Sequence, residues 1–310
     1  MKILLIGCTG FIGQDLIPQL IKEKNDIYII SRKNINELKL NITLEKINFL
    51  KIDLSIEKNW SDENLINYLK NCEGIINLAG EPIADKRWTN RQKKEIESSR
   101  VNITAYLMEN LKKLKIKPNV IINGSAIGYY GTSLDKEFNE NSIQGNDFLA
   151  KICKDWEEAA FKKPLFTRLV IFRIGIVLDS DGGALGKMIP IFKLGLGGPI
   201  GDGNQWMSWI HRRDLCALIN TALKNKQFKG TYNAVAPEPV KMKEFSLALA
   251  KSLKRPNLLP VPEFILNLLL GESAKIILEG QKVKSINIKN NLYKFKYPLL
   301  ESAIYSATRK

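Results

Sequence analysis

The chain has 310 residues, 45% hydrophobic and 25% charged, which is enough for one large α/β domain with a smaller appendage and too apolar for a disordered protein. Its formal charge of +15 suits an anionic ligand, but the lysines are dispersed through stretches such as KEKND, RQKKE and KNKQFK without interleaved aromatics, so no nucleic-acid partner is expected. A single histidine and four separated cysteines (Cys8, Cys72, Cys153, Cys216) leave no zinc-type spacing, and neither a signal-peptide layout nor a membrane-length apolar run is present. Reduced thiols, no bound metal, no membrane span and a cytoplasmic location are therefore expected.

In chain order, short β-branched runs alternate with helical patterns, which predicts βαβ units and a parallel sheet. Strands are expected at 2–7, 26–31, 47–53, 74–80, 119–125 and 168–178, and continuous apolar runs are what strands covered on both faces require. Helices are expected near 11–23, 61–71, 90–114, 147–161, 184–194, 213–224 and 241–253, with Pro18 kinking the first or removing one of its backbone bonds. After about residue 179 the pattern changes to a glycine-rich loop (195–205) and then to a tail punctuated by prolines. The expected fold is α/β, a Rossmann-type doubly wound parallel sheet with a small C-terminal α+β subdomain. The large domain is placed over 1–235, with cleft-lining segments from 180–235, and the substrate or cap domain over 236–310.

The first strand runs directly into GCTGFIG, residues 7–13, and a helix follows. In this strand–turn–helix setting Gly7 permits a tight turn, Gly10 lets backbone approach a pyrophosphate, and Gly13 allows close packing of helix on strand. Thr9, Phe11 and Ile12 complete the loop, and the diphosphate would rest against the helix N-terminus. The second strand ends in Ser31, Arg32 and Lys33. An acid there would bind a ribose 2′-hydroxyl, whereas two cations suit a 2′-phosphate, so NADP is favoured over NAD.

These features, with Asp53-Leu54 and NLAG (77–80), resemble the extended short-chain dehydrogenase/reductase superfamily. NLAGEPIADKRW (77–88), SSR (98–100), SAIGYYG (125–131), DFLAKICKDWE (147–157), GGALGKM (182–188), WIHRRD (209–214) and the tail LLLGESAKIILEGQKV resemble one of its subfamilies. That subfamily is the epimerase-like group described as NAD-dependent epimerase/dehydratase or SulA-type cell division inhibitor, and the likeness covers essentially the whole chain. It implies that Asp53 and Leu54 lie beside the adenine and that Leu78, Ala79 and Gly80 line the cofactor. It also implies that Arg100 reaches the cofactor or a substrate anion, and that Gly175 and Ile176 close on the nicotinamide side.

Oxidoreductases of this superfamily pair a tyrosine with a lysine four positions later, whose charge lowers the phenol pKa, and use a serine on the preceding strand. Ser125 suits the serine, but none of the nine tyrosines begins a YxxxK motif. In one register Asp147 and Lys151 take the two places; aligning the acid Glu157 instead gives Leu149 and Cys153. Neither frame restores a phenol. Candidate replacements are Tyr129 and Tyr130, which follow Ser125 closely, and Glu81 as a base beyond the fourth strand. Arg87 as an anion clamp, Trp88 as a wall and His211 complete a candidate substrate set; His211 could equally order the segment between the domains. The sequence therefore predicts an NADP-binding epimerase or oxidoreductase acting on a small hydroxyl or carbonyl compound or a nucleotide sugar. The alternative is a non-catalytic dinucleotide sensor or scaffold with a protein partner, in division for example.

Overall fold

The structure, a computed structural model, describes residues 1–37, 47–288 and 292–309. Its first half runs β1 (Lys2–Ile6), α1 (Gly13–Lys22), β2 (Asp26–Ser31), β3 (Ile47–Lys51), α2 (Glu63–Asn71), β4 (Gly74–Asn77), α3 (Asn90–Glu97), α4 (Ile103–Lys113), β5 (Val120–Ala126), β6 (Glu137–Phe138) and α5 (Phe148–Phe161). The second half runs β7 (Arg168–Ile174), β8 (Ile176–Leu178), α6 (Gly183–Lys193), β9 (Trp206–Met207), β10 (Trp209–His211), α7 (Arg212–Lys224), β11 (Gly230–Ala234) and β12 (Val240–Lys241). The tail follows with α8 (Met242–Leu253), α9 (Glu263–Leu270), α10 (Lys275–Leu278), β13 (Lys282–Val283) and α11 (Leu300–Thr308).

Seven strands build one parallel sheet in the order β11-β7-β5-β4-β1-β2-β3. The chain winds outward from β1 on both sides, so the switch point lies between β1 and β4. Their C-terminal ends open there into the crevice where such sheets bind ligands. This is the doubly wound α/β fold expected from the sequence.

Alternation along each strand feeds two cores. Ile3, Leu5, Ile76 and Ile122 pack with α1 and α7 on one face, while Leu4, Ile75, Ile121 and Ile171 pack with α2 and α4 on the other. Each fully buried aliphatic side chain contributes roughly 1.5–3 kcal/mol, so this two-sided burial outweighs any single polar contact. A third core joins Leu185 and Phe192 of α6 to Trp209, to Phe245 and Leu249 of α8, and to Ile304 of α11. Asp214 fixes the last segment to α7, its buried carboxylate accepting hydrogen bonds from the Tyr293 hydroxyl (2.7 Å) and from the backbone N–H of Lys296 and Tyr297 (both 2.8 Å).

Two elements differ from the sequence pattern. The apolar run 168–178 is not one strand. It breaks at Gly175, where a Cβ would stand 2.6 Å from the Ser208 carbonyl oxygen, and β8 leaves the sheet to pair with β10. The helix expected over 90–114 is interrupted by a wide π turn at Ser98–Asn102.

Asp214→Ala should cost about 3 kcal/mol or more, because it strands several buried donors at once. The expected result is a lower urea midpoint together with new protease cleavage between residues 293 and 299; an unchanged midpoint would contradict the anchoring role.

Candidate functional site

The glycine loop after β1 is shaped by what cannot fit beside it. Gly7 has φ +71°, and a Cβ there would fall 2.3 Å from Ala79 Cα; at Gly13 it would fall 1.4 Å from the Cys8 carbonyl oxygen. At Gly10 a Cβ would meet nothing within 4 Å. Two glycines thus seat the loop against β4 and against itself, and the third leaves its backbone approachable. The start of α1 carries no side-chain cap; Gln14, Asp15 and Leu16 already donate to the Gly10 and Ile12 carbonyls, so it is the loop before them and the positive end of the helix dipole that an anion would meet. These features fit a dinucleotide diphosphate.

A buried arginine holds the loop from beneath. The Arg212 guanidinium donates to the Phe11 carbonyl oxygen (3.3 Å), to Asp15 (3.2 Å) and to Asp181 (3.0 Å), and lies 3.3 Å from Asp179. The Phe11 ring packs on Gly182 and Gly183 at the start of α6, with Arg212 over its face. Arg212 is not among the site residues expected from the sequence. A positive charge between a buried strand and an amphipathic helix was the available signal.

Beside the loop, the end of β2 brings Ser31 within 3.4 Å of the Thr9 hydroxyl, and the Ser31 Oγ accepts from the Lys33 N–H. Arg32 projects outward and pairs with Glu81 (3.5 Å), which also accepts from Lys86 (3.0 Å). Burial works against charge on Glu81, but Lys86 and Arg32 outweigh it and hold the carboxyl below its usual range. Glu81 is therefore ionised but engaged by two cations that lower its basicity, which makes it a weak general base. Asp53 accepts from the Ser55 N–H and hydroxyl and so closes its own turn, while Leu54 is buried. Leu78, Ala79 and Gly80 lead out of β4, with Ala79 against Gly7. The Arg100 guanidinium stands over Gly80 and the Trp156 indole; burial pushes it below its ordinary range, and it forms no ion pair among the described residues.

The other residues expected to transfer a proton lie in a buried network. Ser125 donates to Glu157 (2.7 Å), and Glu157 is held by Arg173 through two bonds of 2.8 Å. Arg173 also donates to the Tyr130 oxygen (2.9 Å), whose hydroxyl donates to Asn233 (2.7 Å), and its guanidinium lies on the Tyr129 ring, 3.4 Å from the centroid. Burial pushes the Tyr130 phenol up to about 12 despite Arg173. On α5, Asp147 is the N-cap, accepting from the Ala150 N–H, and Lys151 is exposed. Leu149 and Cys153 are the pair that faces Gly128 at the end of β5, in line with Glu157. Leucine and cysteine therefore stand on the same helix face as Glu157, the partner of Ser125, while Lys151 is exposed. Burial raises the Cys153 thiol to about 12.

Of the candidate substrate residues, Trp88 donates to the Ile83 carbonyl and packs edge-on against Phe148, and Arg87 lies against Gly271. His211 is buried; its Nδ1 caps α7 by accepting from Arg213 N–H, and its ring stacks on Tyr297, 4.0 Å between centroids. Gly175 packs against Ser208, and Ile176 pairs with Trp209 in β10. Glu272 meets Lys93 (2.7 Å), so the segment after α9 closes over the 81–93 region. No group of three or more His, Cys, Asp or Glu suited to a metal ion occurs among the described residues.

A doubly wound parallel sheet with a glycine-rich turn opening its first helix at the switch point defines a dinucleotide-binding protein of the short-chain dehydrogenase/reductase type. The sequence profile of the NAD dependent epimerase/dehydratase family matches residues 3–235, and that of a domain of unknown function, DUF1731, matches 261–307. The chain belongs to that epimerase/dehydratase family. It is 40% identical over 306 residues to the chloroplastic epimerase family protein SDR39U1 homolog of Arabidopsis thaliana, covering 98% of this chain and 86% of that one. It is 37% identical to the epimerase family protein YfhF of Bacillus subtilis, covering 98% and 97%. The crystal structure of human epimerase family protein SDR39U1 (isoform 2) with NADPH superposes with a TM-score of 0.88 at 31% identity, covering 100% of both chains. A nucleoside-diphosphate sugar epimerase from Corynebacterium glutamicum gives 0.76 at 26% identity, covering 99% of this chain and 58% of that one.

Removing one partner of the buried pair, as in Glu157→Gln or Arg173→Met, should cost about 3–5 kcal/mol, and the double variant less than the sum. Denaturant titration of the four species measures the coupling, and strict additivity would refute it. Burial also raises the thiols of Cys8, Cys72 and Cys216. At about pH 8 Ellman's reagent should therefore find none of the four cysteines in the native protein and all of them after denaturation; a fast native signal would contradict this burial.

Proposed function

We propose that the chain binds NADPH at the switch point and uses it to reduce a small carbonyl compound, a nucleotide sugar being one candidate. The observation that carries the cofactor reading is the cation pair Arg32 and Lys33 beside the glycine cradle, where a 2′-phosphate would displace Glu81 from Arg32. In this reading Gly7, Thr9, Gly10, Phe11, Ile12 and Gly13 hold the diphosphate, and Ser31, Arg32 and Lys33 take the 2′-phosphate. Asp53 and Leu54 flank the adenine, Leu78, Ala79, Gly80 and Arg100 line the cofactor toward the nicotinamide, and Gly175 and Ile176 shape the sheet end on that side. Arg87 and Trp88 face the substrate, His211 orders the adjoining segment, and residues 236–310 form the cap over a large domain ending near 235. The human relative solved with NADPH supports the same cofactor.

Bound NADPH supplies a hydride. The residues around it supply no matched acid: Leu149 and Cys153 replace the phenol and its lysine, Ser125 donates its proton to Glu157, and Tyr130 is held near 12. Oxidising an unactivated alcohol requires a base at the hydroxyl, whereas reducing a carbonyl can draw its proton from water or from the substrate itself. Reduction therefore suits this cleft better than epimerisation through a ketone. A second reading, a dinucleotide sensor acting through a protein partner, is favoured by the same engagement of Ser125 and Tyr130.

Two measurements test this. Arg32→Ala should weaken NADPH binding by about tenfold or more and leave NADH affinity nearly unchanged, read by cofactor fluorescence; equal losses for both would refute the 2′-phosphate contact. Single-turnover loss of NADPH absorbance should then occur with some member of a carbonyl and sugar-nucleotide panel. Tight NADPH binding with no oxidation across the panel would sink the reductase reading and leave the sensor.

A further inference from the structure

The sheet edge opposite the cleft carries a surface that the dinucleotide site does not use. The segments before β5, β7 and β11 enter adjacent strands from the same end, so the topology sets them side by side. Arg168, the first residue of β7, ties them together. Its N–H donates to the Asn119 carbonyl (3.2 Å), and its guanidinium donates to the carbonyls of Ala222 and Phe228 (both 2.8 Å). Residues 112–119, 161–167 and 224–229 contain nine lysines and no Asp or Glu. Lys224 pairs with Glu23; the other eight form no ion pair among the described residues.

Within this positive field Phe161, Leu165 and Phe166 are 55%, 76% and 91% exposed. Phe166 has φ +69°, a left-handed backbone that a bulky residue rarely adopts. Its neighbours on either side, Pro164 and Thr167, are buried, so the loop is anchored while its tip is held outward. The Lys117 Nζ stands 5.7 Å from the centre of the Phe166 ring. Apolar tips ringed by lysines are the chemistry of peripheral attachment to an anionic bilayer: rings and leucine enter the headgroup–acyl boundary while ammonium groups meet lipid phosphates. A polyanionic nucleic acid would use the lysines, but it gives no reason to expose Leu165 and Phe161.

We propose that this edge docks the protein on anionic lipid membranes, with the dinucleotide cleft at the far end of the sheet left open to solution. The test uses the purified full chain with vesicles of phosphatidylcholine alone or mixed with phosphatidylglycerol. Co-sedimentation is expected only with phosphatidylglycerol, and less at high salt. The variant Lys115→Glu, Lys117→Glu, Lys162→Glu, Lys163→Glu should lose about tenfold or more of the partitioning, and Leu165→Ser with Phe166→Ser should lose several-fold while keeping the salt dependence. Both should keep the wild-type melting temperature and NADPH affinity. As an independent readout, Phe166→Trp should show a blue-shifted emission difference from wild type with phosphatidylglycerol vesicles alone. Equal sedimentation with both vesicle types would overturn the proposal. So would binding to single-stranded RNA that outcompetes the vesicles and is indifferent to Leu165→Ser with Phe166→Ser.

Discussion

The ion pair between Glu157 and Arg173 is the interaction on which the arrangement of this cleft depends. Both side chains are almost fully buried, and one guanidinium reaches a helix carboxylate, a tyrosine oxygen and a tyrosine ring at once. Burying such a pair brings little net stability over a well-packed apolar alternative, since desolvation offsets most of the Coulomb gain. What it contributes is position. β5, β7, α5 and, through Asn233, β11 are fixed relative to one another by a single connected set of hydrogen bonds. Ser125 and the Tyr130 phenol complete the set and are engaged by it.

The cofactor end follows a different rule. There the arrangement depends on side chains that are missing, with Gly7 and Gly13 allowing backbone-to-backbone contacts that no Cβ would tolerate. Arg212 then fixes the loop electrostatically from below, with Asp15, Asp179 and Asp181 sharing its charge. A loop seated by sterics and clamped by a buried cation is preorganised, so little ordering remains to be done when an anion arrives. The glycine turn is thus fixed by sterics and one buried cation, whereas the region around Ser125 is fixed by a hydrogen-bonded ion pair.

How far the sequence disclosed this follows from the range of each interaction. The glycine spacing and the alternation of strand and helix are local signals, and the structure forms the tight turn and the layered sheet that they predict. The register of α5 was ambiguous because Asp147–Lys151 and Leu149–Cys153 have the same spacing. Only the capping role of Asp147 and the contact of Leu149 with Gly128 separate them. The break at Gly175 was hidden because apolar residues continue on both sides, and the obstruction comes from Ser208, more than 30 residues later. Arg173 is a cation within a buried strand, but its partner Glu157 lies on another element. Helix α9, EFILNLLL, lacks the polar face that would mark it as a helix, and the structure buries none of its residues fully.

The same limit explains the lysines. Read along the chain they are dispersed, in groups some 50 residues apart. A parallel sheet reverses that judgement, because every strand is entered from one end and every segment before a strand is delivered to the same edge. Part of the charge there has a local cause: Lys112, Lys113 and Lys224 occupy the last turns of α4 and α7, where a cation complements the helix dipole. That cause does not extend to Lys115, Lys117, Lys162 or Lys163, which lie beyond the helix ends, and it has no bearing on an aromatic ring held outward on a left-handed backbone. Helix termination accounts for some of the positive charge, but not for lysines without an ion pair among the described residues beside anchored, outward apolar tips, a combination that a surface both anionic and greasy would match.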